Sequence, residues 1–184
     1  MCIRDRIMAN LPYVKGVRIG IKLPDTVNIM IEEESVVYAI KSSDGQWWMM
    51  DSDGRVVEQA NNAKAATATQ VLGVTLEAPT VNEKGVATEM TPSETNELGE
   101  LIPVTTTGAQ RLTAALQILK ALENNDIVGE AASVDVTSTE DIILWYGTRY
   151  QVNLGDTSRL DYKVDCMNDA ILQMSDYQSG VLDI

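Results

Sequence analysis

Apolar side chains return at every second position in a series of short segments, and this period of two commits most of the chain to β-strands. From Val14 to Leu23 the residues Val17, Ile19 and Ile21 share one face while Arg18 and Lys22 share the other, the pattern of a half-buried strand. Pro24-Asp25 supplies a turn, after which Val27, Ile29 and Ile31 alternate with Asn28, Met30 and Glu32 as an antiparallel hairpin partner. Val36 to Ser42 and Gln46 to Met50 repeat the arrangement around Ser43-Asp44-Gly45, where glycine tolerates positive φ. Further strands are expected at Gln70 to Glu77, Ala132 to Val136, Ile142 to Tyr146 and Thr148 to Leu154, the last two joined at Gly147.

The period changes to three and four between Thr107 and Asn124. Ala109, Leu112, Ala115, Leu116, Leu119 and Leu122 form one stripe, with Gln110, Arg111, Gln117 and Lys120 facing outward, which predicts a helix that Thr107 caps. Gly155-Asp156-Thr157 opens a second helix from Leu160 to Met174, with Val164, Met167, Ala170 and Ile171 as its apolar face. Ile7 to Leu11 reads as a helix end, because the residue before Pro12 disfavours helical dihedrals. The fold class is α+β.

Glu58 to Gly99 is rich in Ala, Asn, Thr and Glu, and only Gln70 to Glu77 within it is expected to be ordered. Residues 83–100, with Glu89, Glu94, Glu97 and Glu100, read as a mobile acidic excursion. The 184 residues suffice for one domain or two small ones, and with no Phe the core must be aliphatic. A formal net charge of −13 disfavours nucleic acid and anionic lipid as partners.

Histidine is absent, which removes the usual general base and the commonest metal ligand. Carboxylates that could pair, Asp51 with Asp53 and Glu32 to Glu34, read as solvated turn and strand-end charges. Asp51 to Val56 fails the ligand spacing of a calcium loop. Gly155-Asp156-Thr157 lacks the glycine spacing of a phosphate cradle and reads as a helix start. Cys166 reads as a buried inert thiol, and Cys2 and Cys166 make no disulfide framework. No metal, cofactor or catalytic site is expected, and no apolar run approaches the length that crosses a bilayer.

Residues 1–6, Met-Cys-Ile-Arg-Asp-Arg, fit nothing downstream and resemble a translated sequencing adaptor, so they are treated as a non-native leader with any membrane anchor lying upstream. Asn10-Leu11-Pro12-Tyr13-Val14-Lys15-Gly16-Val17-Arg18-Ile19 and Leu23-Pro24-Asp25-Thr26-Val27-Asn28-Ile29 then resemble the second half of the POTRA domain of the FtsQ/DivIB family. Trp48, Asp51, Gly54 and Val56 match that family's Trp-x-x-Asp-x-x-Gly-x-Val pattern. Tyr150 to Gly155 with Lys163, and Val181 to Ile184, resemble its later strand, helix and strand. The chain departs at Glu33-Glu34-Ser35, where the family usually has Glu-Arg and a proline.

The resemblance implies residues 7–34 as the C-terminal part of a POTRA domain and residues 35–184 as a β domain of mostly antiparallel strands with two helices, incomplete at its C-terminus. It also implies a non-catalytic adaptor of the division machinery that binds FtsL and FtsB/DivIC-type proteins and supports septal peptidoglycan synthesis. Its place would be the extracytoplasmic face of the plasma membrane at the septum, held by an N-terminal transmembrane helix outside this chain. The partner would dock by strand addition near Val181, Leu182, Asp183 and Ile184, on the strand that would come immediately after them and is absent here, so these four residues are expected to form an artificial edge that binds the partner weakly and favours self-association. A POTRA-containing component of a translocation or secretion assembly is the alternative, although such proteins carry repeated units and no repeat is found here.

Overall fold

The computed structural model describes residues 6–7, 10–33, 37–89, 106–175 and 177–184. β1 (Val14–Lys22) and β2 (Thr26–Glu33) form a two-stranded antiparallel sheet. Its register sets Val17 opposite Ile31, Ile19 opposite Ile29 and Ile21 opposite Val27, so the aliphatic residues share one face. The expectation of a half-buried strand holds only at the base. Val14 and Val17 are buried, whereas Ile19, Ile21, Val27, Ile29 and Ile31 are exposed. Arg6, Ile7 and Asn10 before it are helical, and the N–H of Leu11 donates to the carbonyl of Ile7.

A second sheet holds β3 (Tyr38–Ser42), β4 (Trp47–Met50), β5 (Val56–Ala60), β6 (Gln70–Leu76), β7 (Ala131–Asp135), β8 (Ile142–Tyr146), β9 (Tyr150–Gly155) and β10 (Gly180–Asp183). Their order is β10-β9-β8-β7-β6-β3-β4-β5. β3–β6, β6–β7 and β9–β10 pair in parallel and the remaining neighbours antiparallel. Parallel neighbours need crossover connections rather than tight turns. Three helices lie within those connections: α1 (Asn62–Ala65) between β3 and β6, α2 (Gly108–Asn124) between β6 and β7, and α3 (Leu160–Leu172) between β9 and β10.

α2 begins where the sequence places it. The Thr107 hydroxyl accepts from the Gln110 N–H and the Gln110 side chain accepts from the Thr107 N–H, a reciprocal cap. Leu112, Ala115, Ile118, Leu119 and Leu122 pack with Val164, Met167 and Ile171 of α3 on a sheet face built from Ile40, Val71, Val134, Leu144, Val152 and Leu154. The core is mostly aliphatic, with two buried tyrosines, Tyr38 and Tyr150, where the absence of Phe led to an expectation of aliphatic residues alone. The opposite face carries a smaller cluster in which Ala65 of α1 joins Ala39, Met49, Val57 and Ala60.

Several sequence expectations are corrected. Ala109 is exposed, and Arg111, expected to face outward, is buried with Nη1 donating to the carbonyl of Gly73 at 3.4 Å. Gly73 has φ +80° and a Cβ there would lie 2.2 Å from the backbone nitrogen of Thr137, so only glycine allows this kink in β6. The kink coincides with the register shift between β3 and β6. Glu58 to Ala60 belongs to β5, and Asn62–Ala65 forms a helix that Asn61 caps, so order begins earlier in this stretch than its composition suggests.

Residues 83–89 are pinned rather than loose. The N–H of Val56 donates to Glu83, that of Gly85 to Gly54 and that of Thr88 to Thr75, while Ala87 is buried against the core. The rest of the acidic excursion, 90–100, lies outside the described residues, as do residues 1–5. Cys166 is half-buried, not buried. Asp51, read as solvated, is buried, and its carboxylate accepts from the N–H groups of Asp53 and Arg55 and from Arg55 Nε at 3.1, 2.8 and 3.1 Å.

The hairpin meets the larger sheet at its base. Arg55 Nη1 donates to the carbonyl of Val14 at 3.4 Å, and Lys64 Nζ donates to the Tyr13 hydroxyl at 3.1 Å while pairing with the Glu58 carboxylate. That lysine holds the Glu58 carboxyl below its ordinary range. Beyond this joint the two strands of the ribbon pair with each other, and two-stranded pieces are marginal alone. Native-state hydrogen exchange is therefore expected to be at least about a hundredfold faster at Ile19, Ile21 and Ile29 than at Ile118 and Leu119. Equal protection in the two regions would show that the ribbon is held by contacts other than those at its base.

Candidate functional site at a sheet edge

Among the described residues β10 ends the larger sheet, with β9 on one side and no strand on the other. Gly180 sits opposite Tyr150, Val181 opposite Gln151, Leu182 opposite Val152 and Asp183 opposite Asn153. The N–H of Gly180 donates to the Arg149 carbonyl and that of Ile184 to the Asn153 carbonyl, both at 3.1 Å. In a parallel ladder the N–H and C=O of one residue point the same way and alternate along the strand. Gly180, Leu182 and Ile184 therefore bond to β9, while Val181 and Asp183 turn their main-chain groups outward.

The side chains divide by the same period. Leu182 and Ile184 pack against the core and seat the strand. Val181 is 60% exposed on the opposite face. Asp183 beside it is fixed by Asn153, whose Nδ2 donates to Asp183 Oδ1 at 2.5 Å, and Gln151 Nε2 donates to Asn153 Oδ1 at 3.2 Å. Of the four residues singled out from the sequence, two are thus anchors and two are presented.

The far end of β9 is held by Lys163, which sequence reasoning marked only through resemblance. Its Nζ donates to the carbonyl of Leu154 at 2.7 Å, the carbonyl of Asp156 at 3.0 Å and Asp156 Oδ1 at 2.9 Å. The Ser158 hydroxyl and then Lys163 hold the Asp156 carboxyl well below the usual carboxylate range. Gly155-Asp156-Thr157 thus turns β9 into α3, with Asp156 already engaged by its neighbours. Lys163 spaced nine residues after Leu154, across a Gly-Asp turn, is the signal that could have indicated this lock.

The opposite sheet edge is different. β5 is flanked by 82–85, with the N–H of Asn82 donating to Val56 and that of Val56 to Glu83. That edge is paired at its start, at Val56, so among the described residues β10 is the more open one. What β10 can offer is directional hydrogen bonding to an extended chain, not acid–base chemistry. No helix among the described residues is long and apolar enough to cross a membrane.

No family model matches the chain. It is similar to the cell division protein DivIB of Clostridium tetani, with 25% identity over 178 residues, covering 97% of this chain and 59% of that protein. It is also similar to the cell division protein DivIB of Clostridium acetobutylicum, 34% identical over 73 residues, covering 40% of this chain and 28% of that protein. The likeness agrees with the FtsQ/DivIB resemblance read from the motifs, and the chain spans a little over half the length of the relative it matches throughout.

Two outcomes follow from the geometry. Val181→Pro removes only an outward N–H and is expected to change unfolding free energy by less than about 1 kcal/mol, whereas Leu182→Pro breaks a ladder bond and costs roughly 2–3 kcal/mol. Urea unfolding of the two variants measures the difference, and equal losses would mean the outward set is wrongly assigned. Lys163→Met withdraws the donor that serves two carbonyls and a carboxylate and is expected to cost about 1–3 kcal/mol in the same measurement. An unchanged midpoint would show that the corner is held without it.

Proposed function

We propose that this chain is extracytoplasmic sequence of an FtsQ/DivIB-type division protein and acts as a non-catalytic adaptor at the septum. The observation that carries the reading is a likeness to one DivIB protein along 97% of the chain, far more than a shared motif would give. Residues 7–34 would be the C-terminal part of a POTRA domain and residues 35–184 the β domain. The separation of the β1–β2 ribbon from the larger sheet supports that division.

The adaptor would bind FtsL and FtsB/DivIC-type proteins and so support septal peptidoglycan synthesis, from the outer face of the plasma membrane. Physical support comes from β10. Val181 and Asp183 offer main-chain donors and acceptors in register, and Leu182 and Ile184 keep the strand seated while a second strand is added. The side chains that might have suggested catalysis have structural employment instead. Asp51 closes its own turn, and the Glu123 carboxylate accepts from Tyr38 and Ser52 at 2.8 Å each.

The test is calorimetric titration of this chain with the extracytoplasmic segments of the FtsL- and DivIC-type proteins of the same genome. Weak binding is expected for this chain, and a further loss of at least tenfold in affinity for Val181→Pro, which spares the fold. Retained affinity in that variant would move the interface off β10. No binding of either segment by the native chain would sink the adaptor reading as applied to this stretch.

A further inference from the structure

The helices α2 and α3 share one face of the larger sheet, while α1 on the other side lies against β3 and β4. Val134, Leu144 and Val152 are buried beneath α2 and α3. The alternate residues of β7, β8 and β9, namely Ser133, Asp135, Ile143, Trp145, Gln151 and Asn153, therefore stand on the back of the sheet. Strand register sets them in two rows. Ser133 lies opposite Trp145 and Trp145 opposite Gln151, while Asp135 lies opposite Ile143 and Ile143 opposite Asn153.

Trp145 stands at the middle of this face and is 40% exposed. Tryptophan is ordinarily well buried, and an exposed one is among the residue types that dominate binding energy at interfaces. Asp135 is its diagonal neighbour, within reach of one long side chain laid across both. The Thr137 N–H and hydroxyl donate to Asp135 Oδ1 at 2.9 and 2.6 Å, which fixes the carboxylate and leaves Oδ2 to accept from elsewhere. No lysine or arginine occurs in any strand from β6 to β10, whereas Asp135 and Asp183 both do. The charge of this face is therefore negative, and so is the face of the indole ring, whose quadrupole attracts cations.

We propose that the back of β7, β8 and β9 is a docking surface, separate from the edge at β10, for a short arginine-bearing segment of a partner protein whose guanidinium stacks on Trp145 and pairs with Asp135. Arginine fits better than lysine, because a planar guanidinium stacks on the indole and presents its fork to a carboxylate at the same time. The net charge of −13 draws a basic segment toward the surface and repels a phosphate backbone. Past Ser133 the first row continues to Gln70, and these two residues line a groove of about 750 Å³ beside α1 through which the segment can leave. The contact is small. Three strands about 4.8 Å apart, with five residues at about 3.3 Å each, make a patch of roughly 250 Å², against about 800 Å² per partner in a stable interface. The surface thus adds selectivity to a partner that is also held elsewhere.

The probes are the capped heptapeptide Gly-Ser-Leu-Arg-Leu-Ser-Gly and the same peptide with citrulline, Lys or Glu in place of Arg. Each is titrated to millimolar concentration into the ¹⁵N-labelled chain and followed at the Trp145 indole N–H and the amides of Ile143, Trp145 and Gln151. The Arg peptide is expected to bind about five- to tenfold more tightly than the citrulline peptide, which keeps the shape without the charge, with Lys between them and Glu weakest. Trp145→Leu and Asp135→Asn are each expected to remove most of the preference for Arg over citrulline. Asp135→Asn retains the oxygen that Thr137 uses.

Equal affinity for the Arg and citrulline peptides would overturn the proposal, as would the absence of any shift at Trp145. Shifts centred on the exposed Asp161, Asp165 and Asp169 of α3 would show attraction to acidic surface in general and refute a site at Trp145. So would a preference for Arg that survives Trp145→Leu. The exchange of Arg for citrulline leaves the protein untouched, so the comparison of peptides decides the matter even where a variant fails to fold.

Discussion

The larger sheet has three parallel neighbour pairs, and a parallel pair cannot be closed by a hairpin. The rest of the molecule is organised by that constraint. Each parallel pair needs a length of chain that leaves the sheet, crosses a face and returns, and each such length contains a helix. α2 and α3 lie on the same face and touch, with Asn124 Nδ2 donating to Asp161 Oδ1 at 3.2 Å. One face must then be continuous and aliphatic to receive both. The sequence supplies Ile40, Val71, Val134, Leu144 and Val152 for it, with Leu, Ile and Ala from the helices in place of aromatic bulk.

Burial alone would let α2 slide on such a surface, since aliphatic contacts carry little direction. Polar contacts remove that freedom. Glu123, in the last turn of α2, accepts from Tyr38 on β3 and from Ser52 in the turn after β4, and Arg111 in the first turn reaches the carbonyl exposed by the kink at Gly73. One contact near each end of a 17-residue helix fixes its axial position over the sheet. A charge buried without such contacts would be costly, so the buried Arg111 is tolerated because its partner comes from another element.

Strand periods, both long helices and the Thr107 cap were legible because each rests on local pattern. What was not legible depended on distant partners. Arg111 sits at a position that local polarity assigns to solvent, and nothing near it in sequence announces a carbonyl freed 38 residues earlier by Gly73. Residues 83–89 look disordered by composition, yet their backbone pairs with Gly54, Val56 and Thr75, and backbone pairing is blind to side-chain hydropathy. The edge at Val181 to Ile184 was found by resemblance. That Val181 and Asp183 present their main chain while Leu182 and Ile184 anchor could be known only with the direction of pairing to β9, which the strand pattern does not contain.

Among the described residues β10 has no outer neighbour, and a free row of N–H and C=O groups recruits any extended chain, including another copy. The structure limits that in two ways. Asp183 places a carboxylate on the open strand, held upright by Asn153, and two antiparallel copies of β10 would bring these carboxylates near one another. The chain as a whole carries −13, so copies repel on approach, though over only about 8 Å at physiological ionic strength. Neither effect opposes a neutral or basic strand. An edge that carries charge discriminates against its own copies and in favour of a strand of different charge.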